Sequence, residues 1–559
     1  MKVFVDGKGL NLGKRDFVAQ GGEGSVYMRR GTAYKVYSNA AQRIPAGKIQ
    51  ELSAINDPRV VKPEKALTDA SGQTIGYTMR FIDGATALCR LFTRSFRERE
   101  GIDPAMMFSL VGKLREGVEA VHAAGIQIVD LNELNFLVAK DYDDVYFIDV
   151  DSYQTPRYPA TAIMDSVRDR HAKPGIFSEA TDWFSFAVVS FQMQIGIHPY
   201  KGKHPQLRAL DQRMQSNVSV FDPEVRVPRS AYPLDVIPEA WRGWYRAVFE
   251  AGERTAPPVS GKAAVAVTGP IELVSGSGAV EAVEIGAFGG RVRGVWARSG
   301  RLVVATERGL FVDGRACTCV PPAPAAVGFT PSNRPIGAYL RRGRLELVDL
   351  LSGARLALEL AADAVTSVEG RLYAKSGERL AEVQLHELGG KTVAAPRLAA
   401  NVMAHATRLY SGCIIQDLLG ATWVGLFPRS GVTHQQHLRE LDDYQVIDAR
   451  YDSGVLMVLG VKAGRWDRLV VRFASDFQSW DLRVVEDVGT GGLNFVTLDS
   501  GVTVCLTEAD ELELSPASKG AAGVKRVQDA ALGGDMVLSR EGGRLLAARR
   551  DRLYRLAMK

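Results

Sequence analysis

The chain has 559 residues, 46% of them hydrophobic and 24% charged, so it is long enough for more than one domain and has the composition of a globular protein. Its formal net charge is only +5, and no basic stripe with interleaved aromatic residues is present, which argues against a nucleic-acid-binding protein. The N-terminal residues lack the apolar segment of a signal peptide, and no apolar run is long enough to span a bilayer. With only five scattered cysteines, we expect a cytoplasmic protein.

Short strands separated by glycines are predicted for the N-terminal part of the chain. They are DFVAQ (16–20), SVYMRR (25–30), TAYKVY (32–37) and TIGYTMRFI (74–82). Helices are predicted over 104–125, 180–196 and 238–252 from their apolar residues. In the first helix, Asp103 is a suitable N-cap and Gly125 a suitable terminator. Strands followed by helices indicate an α+β domain.

The sequence pattern changes near residue 260, after a segment rich in alanine, glycine and proline. Short alternating apolar runs with glycine turns then predict an all-β domain. A turn followed by an apolar strand recurs at intervals averaging about 40 residues, the length of a four-stranded propeller blade. The recurrences are SGRLVV (299–304), RGRLEL (342–347), EGRLYA (369–374), ATRLYS (406–411), SGVLMV (453–458), SGVTVC (500–505) and GGRLLA (542–547). We expect a β-propeller, with seven blades favoured and six possible; a β-sandwich is the alternative, and 271–276 is expected to add a strand to the last blade.

A polar cluster interrupts the apolar segment GIQIVDLNELNFLV (125–138). Asp130, Asn132 and Asn135 lie among residues that suit a core, and burying an unpaired carboxylate is too costly for a residue without a role. Upstream lie the glycine-rich AQGGEGSVY (19–27) and Lys35. Downstream, an apolar strand ends in Asp149. Each feature is weak alone, but their order and spacing indicate a function.

This order resembles the protein-kinase fold, over roughly residues 14–258. The resemblance implies a bilobal α+β fold that binds ATP through Gly21, Gly22, Gly24, Val26 and Lys35. Lys35 would contact the α- and β-phosphates, and Asp149 and Asn135 would hold Mg²⁺. Asp130 would accept the hydrogen bond of the substrate hydroxyl.

Further segments continue the resemblance. TMRFIDG (78–84) is similar to the strand and hinge over the adenine, with Met79 as gatekeeper and Phe81, Ile82 and Asp83 as hinge. ATDWFSFAVV resembles the kinase helix that carries a buried anchoring aspartate, here Asp182, and FEAGERTAPP resembles the last part of the fold, with Arg254. More narrowly, the motifs resemble a bacterial branch of kinases related to those encoded beside tellurium-resistance and phosphatase genes, many of which carry a C-terminal module.

The sequence departs from the kinase pattern at several positions. Val129 replaces the arginine that reads a phosphorylated activation loop, so control by that phosphorylation is not expected. Asp149-Val150-Asp151 replaces Asp-Phe-Gly. The acidic partner of Lys35 is open between two alignments, one giving Glu51 and the other placing Lys48 at that position.

From these features we expect a cytoplasmic signalling enzyme in three parts: a kinase-like domain (1–258), a linker (259–270) and a propeller (271–559). The expected activity is that of an ATP- and Mg-dependent serine/threonine protein kinase acting on a protein substrate, whose propeller recruits or senses partners, among them a metal-dependent protein phosphatase. A nucleotide-binding pseudokinase scaffold and a small-molecule phosphotransferase are the alternatives.

Overall fold

The computed structural model describes residues 1–160, 162–259, 278, 280–318, 320–321, 323–489, 491–517, 524–529 and 531–558. The chain divides into two compact units. The first comprises Met1–Gly269, Val461–Trp466 and Gly489–Gly492, and the second comprises Pro270–Gly460, Asp467–Val488 and Leu493–Lys559. Within the described residues, no helix combines the length and the apolar character needed to cross a membrane.

The first unit begins with a seven-stranded antiparallel sheet of order β2-β1-β6-β7-β5-β4-β3. Its strands are β1 (Lys2–Val5), β2 (Lys8–Asn11), β3 (Phe17–Gln20), β4 (Gly24–Arg29), β5 (Thr32–Tyr37), β6 (Lys65–Thr68) and β7 (Thr74–Arg80). β5 shows the period-two alternation of a half-buried strand: Ala33, Lys35 and Tyr37 are buried, while the residues between them are partly exposed. The sheet therefore carries a lysine on its buried face, between two apolar side chains.

The rest of the first unit is mainly helical, and the three helices predicted from sequence lie within three residues of their expected ends. The helices are α1 (Ala46–Leu52), α2 (Arg94–Glu100), α3 (Pro104–Ala123), α4 (Glu179–Ile195), α5 (Leu210–Gln215) and α6 (Glu239–Phe249). Asp103 caps α3 by accepting a hydrogen bond from the Met106 amide at 2.8 Å. A small sheet of order β10-β9-β8 adds β8 (Thr86–Ala87), β9 (Phe136–Val138) and β10 (Val145–Phe147).

The second unit is all-β, as predicted, and its described residues form seven four-stranded antiparallel sheets. Six of them use consecutive strands. Their bounds are β12–β15 (Val292–Arg298, Arg301–Thr306, Leu310–Val312, Arg315–Cys317), β16–β19 (Ala326–Phe329, Pro335–Arg341, Arg344–Asp349, Arg355–Leu356), β20–β23 (Ala364–Val368, Arg371–Ser376, Arg379–Leu388, Lys391–Asn401), β24–β27 (Thr407–Tyr410, Cys413–Leu418, Ala421–Arg429, Val432–His437), β28–β31 (Gln445–Asp452, Val455–Lys462, Arg465–Phe473, Trp480–Val485) and β32–β35 (Phe495–Thr497, Thr503–Leu506, Glu511–Ser515, Lys525–Gln528).

The seventh sheet joins the two ends of the second unit. It contains β36 (Val537–Glu541), β37 (Arg544–Arg549) and β38 (Arg552–Met558), and its fourth strand is β11 (Val280–Ala287), which pairs antiparallel with β38. The predicted closing strand at 271–276 lies outside the described residues. Pairing the first strand of a unit with its last removes two sheet edges that would otherwise be open.

Neighbouring sheets pack against each other in cyclic order. We number these sheets in chain order, from the first (β12–β15) to the sixth (β32–β35), and call the sheet of β11 and β36–β38 the seventh. Buried apolar clusters join each sheet to the next from the first to the fifth, the sixth to the seventh, and the seventh back to the first. The fifth and sixth sheets are joined by polar contacts, in which Arg472 donates to the Thr503 hydroxyl at 2.8 Å and Glu513 pairs with Arg483. The core of this unit therefore lies between sheet faces.

The recurring turn motif identifies the right number of sheets but not one fixed strand in each. In five sheets the motif begins the second strand, whereas RGRLEL forms the third strand of its sheet and ATRLYS the first. These two displacements explain why the intervals between motifs are unequal. The turn chemistry is shared by several hairpins of each sheet, so the motif alone cannot fix its place.

Two glycines of α3 make a matched pair for testing how this helix packs on the small sheet. A Cβ on Gly117 would lie 2.2 Å from the ring of Phe147 on β10, whereas a Cβ on Gly112 would have no atom within 4 Å. We expect Gly117→Ala to lower the free energy of unfolding by about 1–3 kcal/mol through overpacking. Gly112→Ala should raise it by about 1 kcal/mol, because alanine is the better helix former.

The measurement is denaturant unfolding followed by far-ultraviolet circular dichroism, which reports the first unit because every described α-helix belongs to it. Equal effects of the two substitutions would contradict the packing of Gly117 on Phe147.

Candidate active site

Three carboxylates surround the ammonium of Lys35 on the buried face of β5. Its Nζ lies 2.6 Å from Asp149 Oδ1, 2.9 Å from Glu23 Oε2, and 3.0 and 2.9 Å from the two oxygens of Asp151. Burial acts to lower the pKa of Lys35, but the three carboxylates raise it above its ordinary value. Lys35 is therefore a permanent cation that joins segments distant in sequence.

The glycine-rich hairpin between β3 and β4 supplies Glu23. The Gly21 amide donates to the Gly24 carbonyl at 2.9 Å, which closes the turn. A Cβ on Gly24 would lie only 2.2 Å from the Val36 carbonyl oxygen, so this position requires glycine. Around Gly21 and Gly22 a Cβ would meet nothing within 4 Å, and both are exposed. The turn thus combines one sterically fixed glycine with an open stretch of backbone.

Asp149 lies at the turn that follows β10, in the left-handed backbone region with φ 60°. Its side chain is 33% exposed, whereas that of Asp151 is 4% exposed. Burial raises the pKa of Asp149 to about 6; Asp151 and Glu23 act in the same direction and Lys35 opposes them. Lys35 therefore compensates the charge of Asp149 only in part.

Asp151 is the best satisfied of the three carboxylates. The Tyr37 hydroxyl donates to its Oδ2 and the Tyr77 hydroxyl to its Oδ1, each at 2.6 Å. Burial acts to raise the pKa of Asp151, but Lys35 and the two hydroxyls hold it below its usual value. This carboxylate stays ionised in the interior because every oxygen has partners.

The loop before β9 holds Asp130 and Asn135 together. Asn135 Nδ2 donates to the Asp130 carbonyl at 2.9 Å and approaches Asp130 Oδ2 at 3.5 Å. The Asn135 carbonyl accepts from the Ile148 amide at 2.9 Å. That last bond links the loop to the residue immediately before Asp149.

Asp182, fully buried in the first turn of α4, anchors this loop. Its carboxylate accepts hydrogen bonds from the amides of Ile128 and Val129, each at 2.8 Å, and from His122 Nε2 at 2.9 Å. Val129 has a φ of 65°, which is rare for a β-branched residue and costs about 1–3 kcal/mol. The bonds to Asp182 hold the strained backbone in place, so that Asp130 follows in a defined position.

The segment between β10 and α4 contacts Asp130 directly. The Met164 amide donates to Asp130 Oδ1 at 2.8 Å. The segment is fixed beyond that point, since His198 Nε2 donates to the Ser166 carbonyl at 2.8 Å and Arg254 binds Asp169 through two hydrogen bonds of 2.6 and 2.8 Å. One oxygen of the Asp130 carboxylate is therefore occupied by main chain.

The structure brings together two pairs of the residues predicted from sequence, Lys35 with Asp149 and Asp130 with Asn135. Val26 lies on β4 opposite Lys35, and Met79 lies on β7 opposite Ala33. Phe81, Ile82 and Asp83 directly follow β7; the Phe81 amide donates to the Gly31 carbonyl at 3.3 Å, and Asp83 is exposed. Val26 and Met79 therefore lie on the two strands that pair with β5, and the predicted hinge residues follow the second of them.

The acidic partner that sequence left open is neither Glu51 nor a residue at position 48. Glu51 pairs with Arg157, and Lys48 donates its Nζ to the Asp151 carbonyl at 2.7 Å. Sequence reasoning missed Glu23, Asp151, Tyr37 and Tyr77. Strand periodicity could have identified Tyr37, which follows Lys35 by two residues and therefore lies on the same face of β5. Tyr77 is the residue of β7 that pairs with Lys35, and this register is known only from the structure.

The three carboxylates are suited to a divalent cation. One oxygen from each of Glu23, Asp149 and Asp151 lies within 4.8 Å of the others. Carboxylate oxygens are the protein ligands that Mg²⁺ prefers, and it keeps other positions for water or phosphate oxygens. Both oxygens of Asp151 are already engaged by Lys35 and the two tyrosine hydroxyls, so a cation would bind at the exposed side of the cluster, where Asp149 and Glu23 are partly exposed.

Comparison with protein-family descriptions and with curated proteins gave no match. Among solved structures, the chain is similar to the kinase of the Cydia pomonella granulovirus, with 11% sequence identity and a TM-score of 0.31. The similarity covers 42% of this chain and 88% of the viral one. At that identity and score it identifies neither a family nor an activity for this chain.

The anchoring of the segment by His198 predicts a pH dependence of stability. Burial lowers the pKa of His198 to about 3, and its two ring nitrogens are engaged by the Ser166 carbonyl and the Tyr200 amide. The unfolded chain binds a proton near the ordinary pKa of about 6.5, so the stability that neutral His198 gives at pH 7 is lost as the pH falls below that value. By pH 5 the loss should be about 2 kcal/mol.

Urea unfolding of the helices at pH 7 and pH 5 measures this loss, with His198→Gln as the comparison. The variant should lose less stability between the two pH values than the wild type. An identical loss in both proteins would show that other groups control the acid sensitivity.

Proposed function

We propose that the first unit is an ATP- and Mg-dependent protein kinase that phosphorylates serine or threonine. The observation that carries the proposal is the contact between Lys35 Nζ and Asp149 Oδ1, 2.6 Å apart although 114 residues separate them in sequence. Phosphoryl transfer needs a cation on the phosphates and a carboxylate for the metal, placed side by side. The Asp130–Asn135 loop is joined to the same turn by the Ile148 amide.

Each residue has a role in this proposal. The open backbone at Gly21 and Gly22 would cover the phosphates, and Lys35 would contact them as a point charge. Asp149 and Asn135 would hold Mg²⁺, which neutralises charge on the transferring phosphoryl group. Asp130 would accept the hydrogen bond of the alcohol that attacks.

The adenine would lie against residues of β4, β5 and β7. Val26 and Met79 offer apolar side chains next to the lysine strand, and the main chain of Phe81, Ile82 and Asp83 follows as a hinge. The proposed domain is 1–258, followed by a linker at 259–270. Its compartment is proposed to be the cytoplasm, in keeping with Cys89, Cys317, Cys413 and Cys505, none of which forms a disulfide within the described residues.

For the second unit, over 271–559, we propose a seven-bladed β-propeller that recruits or senses a protein partner in signalling. The cyclic packing of its sheets and the β11–β38 pairing support this arrangement. A protein substrate and a metal-dependent protein phosphatase are the proposed partners.

One observation favours a second candidate, a scaffold that binds nucleotide without transferring phosphate. The Met164 amide occupies Asp130 Oδ1, the atom that would receive the hydrogen bond of the substrate hydroxyl. In such a scaffold the segment would stay in this place.

The proposal is tested by ATP binding and transfer in the full chain. Calorimetry should detect ATP binding that strengthens with Mg²⁺, and labelled ATP should transfer phosphate to serine or threonine of a protein acceptor. Lys35→Met should abolish transfer, and Asp149→Asn should abolish it together with the Mg²⁺ dependence of binding. The matched controls are Lys65→Met and Asp69→Asn, which change an exposed and a half-buried residue of the same unit, both outside the candidate site.

Absence of ATP binding at millimolar concentration with Mg²⁺ would overturn both candidates. Binding without any transfer would favour the scaffold.

The contact on Asp130 gives a separate prediction. Met164 has a φ of −67°, the value proline adopts, and its amide makes the bond to Asp130. Met164→Pro deletes this hydrogen bond without disturbing φ, so the substrate hydroxyl need not displace it. A bond to a charged acceptor is worth about 1.5 kcal/mol, so KM for the protein acceptor should fall about tenfold while KM for ATP is unchanged.

Met164→Ala is the control, because it removes the side chain and keeps the amide. If both variants behave alike, the amide is not the group that competes with substrate.

A further inference from the structure

In one of the two alignments, the position of the acidic partner of Lys35 is filled by a lysine. α1 carries Lys48, which is buried and binds the Asp151 carbonyl at 2.7 Å. The carboxylate that the second alignment offered, Glu51, is engaged by Arg157. Among the described residues, the three carboxylates bound to Lys35 come from the glycine-rich hairpin and from the turn after β10, and α1 contributes none.

Asp151 has the geometry of a clamp on the lysine. Both of its oxygens contact Lys35 Nζ, at 3.0 and 2.9 Å, and each oxygen also accepts a tyrosine hydroxyl at 2.6 Å. The two tyrosines come from β5 and β7, the strand of Lys35 and its neighbour. Because the carboxylate is held from two strands, its position is fixed relative to the lysine.

The three carboxylates differ in how freely they can release Lys35. Asp149 and Glu23 are partly exposed, with 33% and 39% of their side-chain surface accessible, whereas the side chain of Asp151 is 4% exposed. A carboxylate at the exposed side can exchange the ammonium for a cation or for water. Asp151 has no such alternative, since leaving the lysine would strand a buried charge.

We propose that Asp151 is the positioning residue of Lys35, in place of a carboxylate from a separate helix, and that it keeps the ammonium aimed at the nucleotide phosphates after Asp149 turns to the metal. The inference rests on the proposed function. Lys48 supports the arrangement by binding the Asp151 carbonyl and so fixing the turn from its main-chain side. Asp151, which positions the lysine, and Asp149, which binds the metal, then lie two residues apart on one turn. Bringing the two carboxylates to the site therefore requires no movement of α1.

Binding of ATP and adenosine to the full-length protein in the presence of EDTA tests this role. Without metal, ATP contacts the protein through its adenine and, by its phosphates, through Lys35. Adenosine lacks the phosphates and therefore reports the adenine contacts alone. Asp151→Asn should weaken ATP binding about tenfold and leave adenosine binding within about twofold. Removing a negative charge would by itself strengthen the binding of an anion, so a loss of ATP affinity identifies positioning rather than simple electrostatics.

Two further variants keep the test decisive. Glu51→Gln removes the carboxylate of α1 and should leave ATP binding unchanged. Tyr77→Phe removes one hydroxyl from the clamp while keeping the charge, and it should weaken ATP binding in the same direction by a smaller factor, which decides the matter if Asp151→Asn does not fold.

Unchanged or tighter ATP binding by folded Asp151→Asn overturns the inference, as does an equal loss of ATP and adenosine affinity, which would indicate a general structural role. If Glu51→Gln loses as much ATP affinity as Asp151→Asn, the positioning of Lys35 would belong to the carboxylate of α1. If the wild type binds neither ligand, the proposed function fails and this inference with it. If the wild type binds both and Asp151→Asn binds like the wild type, the inference alone fails.

Discussion

The buried ammonium of Lys35 is the constraint on which the rest of the site depends. A charge on the inner face of a sheet is costly unless it is paired, and here the pairing partners come from the hairpin between β3 and β4 and from the turn after β10. The lysine therefore fixes the distance between the glycine-rich backbone and the turn that carries Asp149. Apolar packing could hold the same segments together, but it would leave neither a cation nor an under-compensated carboxylate between them.

The order of chemical groups along the chain was predictable from sequence, and their partners were not. Asp130 and Asn135 could be identified because they interrupt an apolar segment, and Lys35 and Asp149 because of their order and spacing relative to that pair and to the glycine-rich turn. Asp151 was visible in the sequence only as the residue in place of the glycine of Asp-Phe-Gly, and its role depends on which side chains from β5 and β7 reach it. Such contacts follow from strand register, which a single sequence does not fix.

In the all-β unit, too, the sequence predicted local features but not the pairing of distant strands. The recurring turn motif predicted the number of sheets because it occurs once in each of them. It did not predict which strand of a sheet it precedes, because glycine turns of the same kind join the other strands as well. The strand Val280–Ala287, which closes the last sheet, lacks the motif altogether. Its place depends on pairing with residues more than 250 positions away, and no local pattern carries that information.

Four carboxylates of the first unit form two pairs, which differ in how many of their oxygens have hydrogen-bond or ion-pair partners. Asp182 is fully buried and accepts three hydrogen bonds, and Asp151 is nearly buried and holds the lysine and two hydroxyls. By contrast, Asp149 is one-third exposed, and Asp130, also partly exposed, binds one main-chain amide through Oδ1. A saturated carboxylate in the interior cannot take a new partner without breaking an old one, so it suits the fixing of a loop or a lysine. The incompletely satisfied pair retains the capacity to bind a cation or a hydroxyl, and the proposed function therefore assigns the metal and the substrate hydroxyl to these two residues.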